Sequence, residues 1–358
     1  MLRRDFIRAG VASGVPLALG CRANDLSGPL QVNQPLAIQL GFRPADRLLI
    51  VNADDAGYCS QTTTAVIEAF ERGAIDSASV MVPCSGFEEF AGWARRNPTA
   101  DIGIHLTFTG ERPNLRVPPV LPPNQVPSLV DESGNFPLGW GSGRLVDLGE
   151  LEAEARAQMN GAIAAGIRPT HLDSHQHVLQ RRGPDAFDVL VRLAQAYRLP
   201  FRRSREWFAK SPYLQHPRGV VAGPLDSVLS IGKLRLRLPE WTRWYVDRIH
   251  ALGPGVAELV IHPSRLDPAL AELMADSPNW GAQWRDLDLA VATGAELRTA
   301  IRTSHVKRIG WRPIMNAIRR GATPPPLSPG SESFESGTNR SGETQAPAVA
   351  YALPHHPG

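Results

Sequence analysis

The chain has 358 residues, of which 42% are hydrophobic and 20% are charged, and these are the proportions of an ordinary globular protein. The net charge of +3 is small, and the 38 basic residues are scattered along the chain rather than clustered with aromatic side chains. The composition therefore gives no indication of a nucleic-acid-binding protein.

The first 21 residues have the features of an export signal. Arg3 and Arg4 precede a weakly apolar run over residues 9–20, too short to cross a membrane, and this is typical of a twin-arginine signal. Residues 17–20 and Cys21 resemble a lipoprotein cleavage site, so lipid attachment to Cys21 stays open. We expect an exported protein of the periplasm or cell envelope. The alternative is a cytoplasmic protein with a disordered N-terminus.

The three cysteines, Cys21, Cys59 and Cys84, do not have the spacing of a zinc site. A disulfide between Cys59 and Cys84 would fit an oxidising compartment. Burial of both as free thiols is the preferred interpretation, because cysteine is among the most buried residue types.

From residue 47 onward, short apolar strands alternate with amphipathic helices, whereas residues 22–46 show no period and are interpreted as a linker. Strands are predicted at residues 48–51, 77–82, 102–107, 169–172, 199–202, 257–261 and 305–309. Helices are predicted at residues 61–72, 87–96, 150–165, 185–197, 240–252 and 287–302.

Two segments interrupt this alternation. Residues 110–149 are rich in proline and glycine and are interpreted as a lid or substrate loop. Residues 321–358 are rich in Pro, Ser, Gly and Thr and are expected to be a disordered tail, so that His355 and His356 are not a metal site. The folded domain is expected over residues 47–320.

Repeated strand–helix units predict an α/β fold, a single domain with a parallel sheet that is either a (β/α) barrel or an open sheet. Both architectures place active sites at the carboxyl ends of the strands.

Polar clusters follow four of the predicted strands. The clustered side chains are Asp54 and Asp55; His105; His171, Asp173, His175 and His177; and His262. Taken singly, an Asp-Asp pair is compatible with a surface turn and a strand histidine with a hydrogen-bonded core residue. If residues 171–177 stay extended, their three histidines and aspartate point to one side and converge on a metal. Four such clusters at one edge of a sheet predict a single site.

A set of two histidines and an aspartate leaves open coordination positions and suits Zn²⁺, Mn²⁺, Co²⁺ or Mg²⁺. Such a metal would polarise a carbonyl oxygen and acidify a water. Asp54 and His262 are the candidates for the base that takes the water's proton and the acid that protonates a leaving nitrogen.

These motifs resemble those of the YdjC-like (ChbG/HpnK) carbohydrate deacetylases, and they occur in the same order. The matching segments are residues 49–55, 103–107, 170–175 and 262–263, with further matches at residues 127–131, Gly134, Phe136, Arg202, Arg205 and Asp288. The resemblance covers the chain from Arg47 to Ile309.

Members of that family remove the acetyl group from N-acetylglucosamine units of chitooligosaccharides or related glycans, using a divalent metal on a barrel-like α/β fold. By position, the resemblance implies the following roles: Asp55, His105 and His175 as metal ligands, Asp54 as base, His262 as acid, and Arg202 as partner of the base or the substrate. It also implies Mg²⁺ as the metal and an N-acetylated saccharide as the partner.

Two positions depart from the family pattern, which usually has phenylalanine at Ala56 and often a histidine at Leu179. Neither departure removes a ligand, but together with the export signal they put the substrate in doubt and point to an envelope glycan or glycolipid.

Two alternatives stay open. One is a metal hydrolase of the same fold that acts on another amide or ester. The other is a non-catalytic envelope lipoprotein that binds glycans by stacking on Trp207, Trp241 and Trp244, and such a protein would not need Asp54.

Overall fold

The computed structural model describes residues 35–139, 144–205, 225–231, 237–275 and 279–321. These residues belong to one compact unit that ends at residue 322. The predicted export signal, residues 22–34 of the predicted linker and the predicted tail from residue 322 onward lie outside the described residues.

Seven strands form one parallel sheet that curls into a half-barrel. They are β1 (Arg47–Ala56), β2 (Ser77–Val80), β3 (Ile102–Leu106), β4 (Leu172–Ser174), β5 (Ser227–Ser230), β6 (Gly255–Ile261) and β7 (Lys307–Arg308). Their order across the sheet is β4-β3-β2-β1-β6-β5, and β7 pairs with β1. The predicted α/β fold with a parallel, barrel-like sheet in a single domain is confirmed.

Helices surround the sheet. They are α1 (Leu36–Gln39), α2 (Ser60–Glu71), α3 (Phe87–Arg96), α4 (Leu148–Ala164), α5 (Val178–Arg181), α6 (Pro184–Tyr197), α7 (Leu238–His250), α8 (Pro268–Leu273), α9 (Ala282–Thr293), α10 (Ala295–Thr303) and α11 (Arg312–Gly321). Within the described part of the chain, none is long and apolar enough to cross a bilayer.

Helix α3 shows how the local pattern produces these elements. Phe87, Phe90 and Trp93 recur at three-residue spacing and are buried against the sheet. Two glutamates in the first turn and two arginines in the last turn complement the helix dipole. The predicted bounds of this helix are confirmed.

Strand β1 is central because its side chains are buried from Leu48 to Ala56. Along one edge, residues 47–53 of β1 pair with β6. Along the opposite edge, β1 pairs first with β7 and then with β2. Continuous apolar character is typical of a parallel strand covered on both faces. The strand therefore delivers Asp54 and Asp55 to the middle of the carboxyl edge of the sheet.

The two outer strands are linked by residues 201–204, which overlap the strand predicted at residues 199–202. Phe201 forms an isolated parallel bridge to Leu172 of β4, and Ser204 forms another to Leu225, just before β5. The pairing is short, so no regular strand forms there. It nevertheless fixes Arg202 inside the curled sheet.

Some predicted boundaries differ from the structure. Leu36 and Ala37 lie in the predicted linker, yet each is only 1% exposed and packs with Leu48 and Ile50. The single helix predicted at residues 287–302 is two helices, because Gly294 has an extended backbone between them. Helix α9 also begins earlier than predicted.

The described part of the long loop is attached to helix α4. Both carboxylate oxygens of Glu154 accept loop backbone N–H groups, from Val120 and Leu121, at 2.9 Å. Val126 and Phe136 are buried beneath the loop. Apart from a short 3₁₀ helix at Pro123–Gln125, the described part of this loop is therefore held by hydrogen bonds of its backbone and by its own apolar side chains.

Candidate metal centre and active site

Asp55, His105 and His175 come together at the carboxyl edge of the sheet. Asp55 is near the end of β1, His105 is in β3, and His175 directly follows β4. The register of β1 against β2 shifts between Ala53 and Ala56, and Asp55 has a positive φ of 63°. An irregularity of this kind redirects side chains at the end of a strand.

The atoms of these three side chains form a nearly equilateral triangle. Asp55 Oδ1 lies 3.2 Å from His105 Nε2 and 3.3 Å from His175 Nδ1, and the two ring nitrogens are 3.3 Å apart. Ligands at about 2.1 Å from a metal are separated by about 3.4 Å in tetrahedral and about 3.0 Å in octahedral geometry. The three atoms therefore fit a divalent cation without rearrangement.

The carboxylate of Asp55 is buried and only partly satisfied. Its Oδ2 accepts a hydrogen bond of 2.8 Å from Arg285, whereas its Oδ1 has no hydrogen-bond partner among the described residues. Burial opposes ionisation, but the Arg285 guanidinium and the two nearby imidazoles together hold the pKa of Asp55 well below its usual range. An ionised, unpartnered oxygen at the centre of the site is what a cation would satisfy.

His105 is oriented by a carboxylate behind it. Its Nδ1 lies 2.6 Å from Asp173 Oδ1 and 3.2 Å from Ser79 Oγ, which leaves Nε2 facing Asp55. This is the arrangement in which a carboxylate fixes the ring orientation of a metal-binding histidine. Burial lowers the pKa of His105, but the Asp173 and Asp54 carboxylates outweigh it and raise that pKa well above its usual value.

Asp54 is held by Arg202. Arg202 donates Nη1–H to Asp54 Oδ2 at 2.7 Å and Nη2–H to Oδ1 at 2.6 Å, and it also pairs with Asp173 and Glu258. Burial raises the pKa of Asp54, but the charge of Arg202 overrides this and lowers it below its usual range. Because Arg202 is fully buried, it pairs with the predicted base rather than with a substrate.

His262 lies on the other side of Asp54, at the end of β6. Its Nε2 is 4.0 Å from Asp54 Oδ2, and its side chain is 16% exposed, which makes it more accessible than Asp55, His105 and His175. The backbone N–H of His262 donates to Asp288 Oδ2 at 2.8 Å. Asp288 also accepts hydrogen bonds from Trp241 and Tyr245, so the strand end is fixed.

Comparison with known proteins places this arrangement in a family. A family model described as YdjC-like protein matches residues 48–303. The chain belongs to the YdjC-like family. It is 33% identical over 261 residues to a carbohydrate deacetylase of Brevibacillus brevis, covering 73% of this chain and 97% of the relative. It is 30% identical over 266 residues to a chitooligosaccharide deacetylase of Serratia marcescens, covering 72% and 94%.

A solved structure supports the same assignment. An Enterococcus faecalis protein named as a putative cellobiose-phosphate cleavage protein is 30% identical, with a TM-score of 0.63, over 75% of this chain and 98% of that chain. The two chains therefore share their overall fold.

One part of the sequence prediction for this YdjC-like chain is wrong. The segment after β4 is not extended, because His175 to His177 form a 3₁₀ turn in which Gln176 and His177 have positive φ. Among the described residues, the groups that could hold a metal are Asp55 with His105 and His175, and Asp54 with His105 and Asp173. His177 belongs to neither group.

His171 is likewise not a member of the metal group. It lies deeper in the sheet, stacks on Trp311 with ring centroids 4.9 Å apart, and packs against Gly103, where a Cβ atom would clash. Burial lowers the pKa of His171 to about 3. It is therefore a neutral core histidine.

Three charged residues near the site, of which Arg285 and Glu258 are fully buried, have no sequence signal of their own. Arg285 is on helix α9, Glu111 is in the long loop, and Glu258 is in β6. None belongs to the polar clusters at the strand ends, and each is far in sequence from the motifs it contacts. Only folding reveals that Arg285 contacts Asp55, that Glu111 lies beside His175, and that Glu258 pairs with Arg202.

The other residues singled out from the sequence are three tryptophans, two cysteines and the two departures from the family pattern. Trp241 is buried and donates to Asp288, Trp244 packs edge-on against Tyr245, and Trp207 lies outside the described residues. Cys59 and Cys84 are free and buried, as preferred from the sequence. The two family departures, Ala56 and Leu179, are buried apolar positions.

Proposed function

We propose that this chain is a metal-dependent hydrolase that removes the acetyl group from an N-acetylated sugar of a glycan. The single observation that carries the proposal is the triangle of Asp55 Oδ1, His105 Nε2 and His175 Nδ1, with sides of 3.2 to 3.3 Å and an unpartnered carboxylate oxygen. The named activities of the YdjC-like relatives support the carbohydrate deacetylase class.

The charge of the site favours a cation. The guanidiniums of Arg202 and Arg285 face a larger number of carboxylates, which are those of Asp54, Asp55, Glu111, Asp173 and Glu258. A divalent cation held by Asp55, His105 and His175 would offset this excess and supply Lewis acidity to a carbonyl oxygen and to a water. By family resemblance we propose Mg²⁺, with Zn²⁺, Mn²⁺ and Co²⁺ as the other candidates.

The chain's own residues would carry the protons. Arg202 keeps Asp54 ionised, so its carboxylate can accept a proton from water at Oδ2. His262 Nε2, 4.0 Å from that oxygen, is placed to donate a proton to the leaving nitrogen. Hydrolysis then moves one proton from water to the leaving nitrogen and gives a free amine and acetic acid, which ionises to acetate by releasing its proton to solvent.

Acetate release tests the proposal directly. The mature chain, loaded in turn with each candidate metal, is incubated with N-acetylated chitooligosaccharides and with an O-acetylated sugar. We expect acetate from the N-acetyl substrate, and loss of about 10²- to 10⁴-fold in rate in Asp54→Asn. Release from the ester alone would support the alternative hydrolase, and no release with any metal would refute the enzyme proposal.

Ligand assignment needs a separate measurement. His105→Ala and His175→Ala should each abolish stoichiometric metal binding while leaving the far-ultraviolet circular dichroism unchanged. Retention of one equivalent of metal by both variants would contradict the assignment.

We also propose that residues 1–21 direct export and that the substrate is an envelope glycan. Arg3 and Arg4 support this. A reporter fused after residue 21 should reach the periplasm, and replacing both arginines by lysine should keep it in the cytoplasm. Unchanged export in that variant would refute the twin-arginine assignment.

A further inference from the structure

Glu111, in the loop after β3, lies beside two members of the site. Its Oε1 is 3.3 Å from His175 Nε2, and its Oε2 is 3.4 Å from Arg285 Nη2. Its side chain is only 12% exposed. We propose that Glu111 is a positioning residue that orients His175 and balances the charge of Arg285 for metal binding. The inference rests on the metal site proposed above.

The two nitrogens of His175 face different groups. Nδ1 is the atom that lies 3.3 Å from both Asp55 Oδ1 and His105 Nε2, so Nδ1 must present its lone pair to a cation. The ring hydrogen then resides on Nε2, on the side of Glu111. Glu111 lies beside His175 as Asp173 lies beside His105, but at 3.3 Å rather than 2.6 Å, and His175 Nε2 makes no hydrogen bond within the described residues. A carboxylate next to the ring nitrogen that does not face the metal is the arrangement that orients a metal-binding imidazole.

The charge of Arg285 supplies the second argument. This guanidinium is fully buried and donates to Asp55 Oδ2 at 2.8 Å, close to the place a cation would take. A positive charge so near a ligand weakens the attraction of that ligand for a metal. Glu111 is the second carboxylate beside Arg285, so it compensates a charge that Asp55 would otherwise neutralise alone.

The loop itself holds Glu111 in place. The backbone N–H of Gly110 donates to the Pro137 carbonyl at 2.9 Å, which closes the described part of the loop on itself. Arg112 reaches the Trp280 carbonyl at 3.4 Å, and the same carbonyl accepts from Arg285. The loop is thereby tied to the helix that carries Arg285, and its conformation determines whether Glu111 reaches His175.

Metal titration without substrate tests this role. Metal-free wild type, Glu111→Ala, Glu111→Gln and the control Glu132→Gln are titrated with Mn²⁺ and Co²⁺ by calorimetry. Glu132 is exposed in the same loop. We expect the Kd to rise about 10- to 100-fold in Glu111→Ala and less in Glu111→Gln, whose amide oxygen still accepts a hydrogen bond. Glu132→Gln should match wild type.

Thermal unfolding of the metal-free proteins separates positioning from a merely structural role. We expect similar midpoints for wild type and Glu111→Gln, so that the change appears only in metal affinity. An unchanged Kd in both Glu111 variants, or a Kd change matched by an equal loss of metal-free stability, would overturn the inference.

The same titration distinguishes this inference from the proposed deacetylase activity. A wild type that binds metal but releases no acetate refutes the activity and leaves the Kd comparison to decide the role of Glu111. A wild type that binds no divalent ion refutes the metal site and Glu111's role together.

Discussion

Arg202 holds three buried carboxylates at once. It pairs with Asp54, Asp173 and Glu258, and through them it touches both the proposed base and the carboxylate behind His105. Removing one partner from a buried ion pair leaves the other charges uncompensated. The residue therefore supports stability and the ionisation of Asp54 together.

We predict that Arg202→Met lowers the free energy of unfolding by about 3–5 kcal/mol. Arg202→Lys keeps a positive charge but not the two hydrogen bonds to Asp54, so its free energy of unfolding should fall by less than that of Arg202→Met. Urea denaturation of the metal-free proteins measures both values. A loss below about 1 kcal/mol in Arg202→Met would match an exposed ion pair instead.

His171 makes stability depend on pH. Its pKa is about 3 in the folded protein because of burial, against about 6.5 when exposed. The folded state therefore binds this proton less readily than the unfolded state does. The contribution of neutral His171 to the free energy of unfolding is complete above about pH 6.5, and it is lost as the pH falls toward 3.

We predict that His171→Phe reduces the dependence of the free energy of unfolding on pH. Below about pH 6.5, wild type should lose about 1.4 kcal/mol per pH unit more than the variant, because one proton is taken up on unfolding. Phenylalanine retains an aromatic ring against Trp311. Urea denaturation from about pH 7 to about pH 5 checks the difference. Parallel curves for the two proteins would show that His171 is already protonated when folded.

At the scale of elements, helix α4 anchors the long loop through a buried acid. Glu154 is fully buried, accepts the N–H groups of Val120 and Leu121, and also accepts from Gln158. A loop with little regular structure depends on such side-chain acceptors, because most of its backbone groups have no partner in a sheet or helix. The anchor lies in the same loop as Glu111.

We predict that Glu154→Ala loosens the loop and costs about 1–3 kcal/mol, because two backbone N–H groups lose their acceptor. Limited proteolysis should then cut within residues 110–139 faster than in wild type. Glu152→Ala is the matched control. Glu152 is on the same helix, α4, but it pairs with Arg156 of that helix and with Arg192 of α6, not with the loop. Equal cleavage rates in all three proteins would contradict the anchoring role.

For the whole molecule, the folded unit begins before the first strand. Leu36 and Ala37 are buried against β1, and Asp46 joins this end of the sheet to Arg43 and Lys307. The residues before β1 thus close the second, smaller cluster of the core, on the side that includes Trp311.

We predict that a chain starting at residue 47 is less stable by about 2–3 kcal/mol than one starting at residue 35, because burial of a leucine contributes about that much. Urea midpoints compare the two chains, and Leu36→Ala in the longer chain should reproduce most of the loss. Equal urea midpoints for the two chains would contradict this prediction and support a folded domain that begins at residue 47.

The sequence by itself indicated most of the alternation of strands and helices and the polar residues at the strand ends, although it did not predict β5. Apolar runs such as residues 48–51 and the spacing of helix α3 depend on local periodicity, and local periodicity is visible along the chain. The shared edge of a parallel sheet also predicted that the polar clusters containing Asp55, His105 and His175 meet in one site, whereas the family resemblance singled out these three residues.

The tertiary structure decided which members of a motif reach the site. The turn after β4 separates His175 from His177, and the depth of the sheet buries His171 beneath the site. It also brought in Arg285 and Glu111, because long-range contacts of buried charges leave no period in the sequence. Local pattern determines the elements, whereas the partners of a buried charge depend on packing between elements distant along the chain.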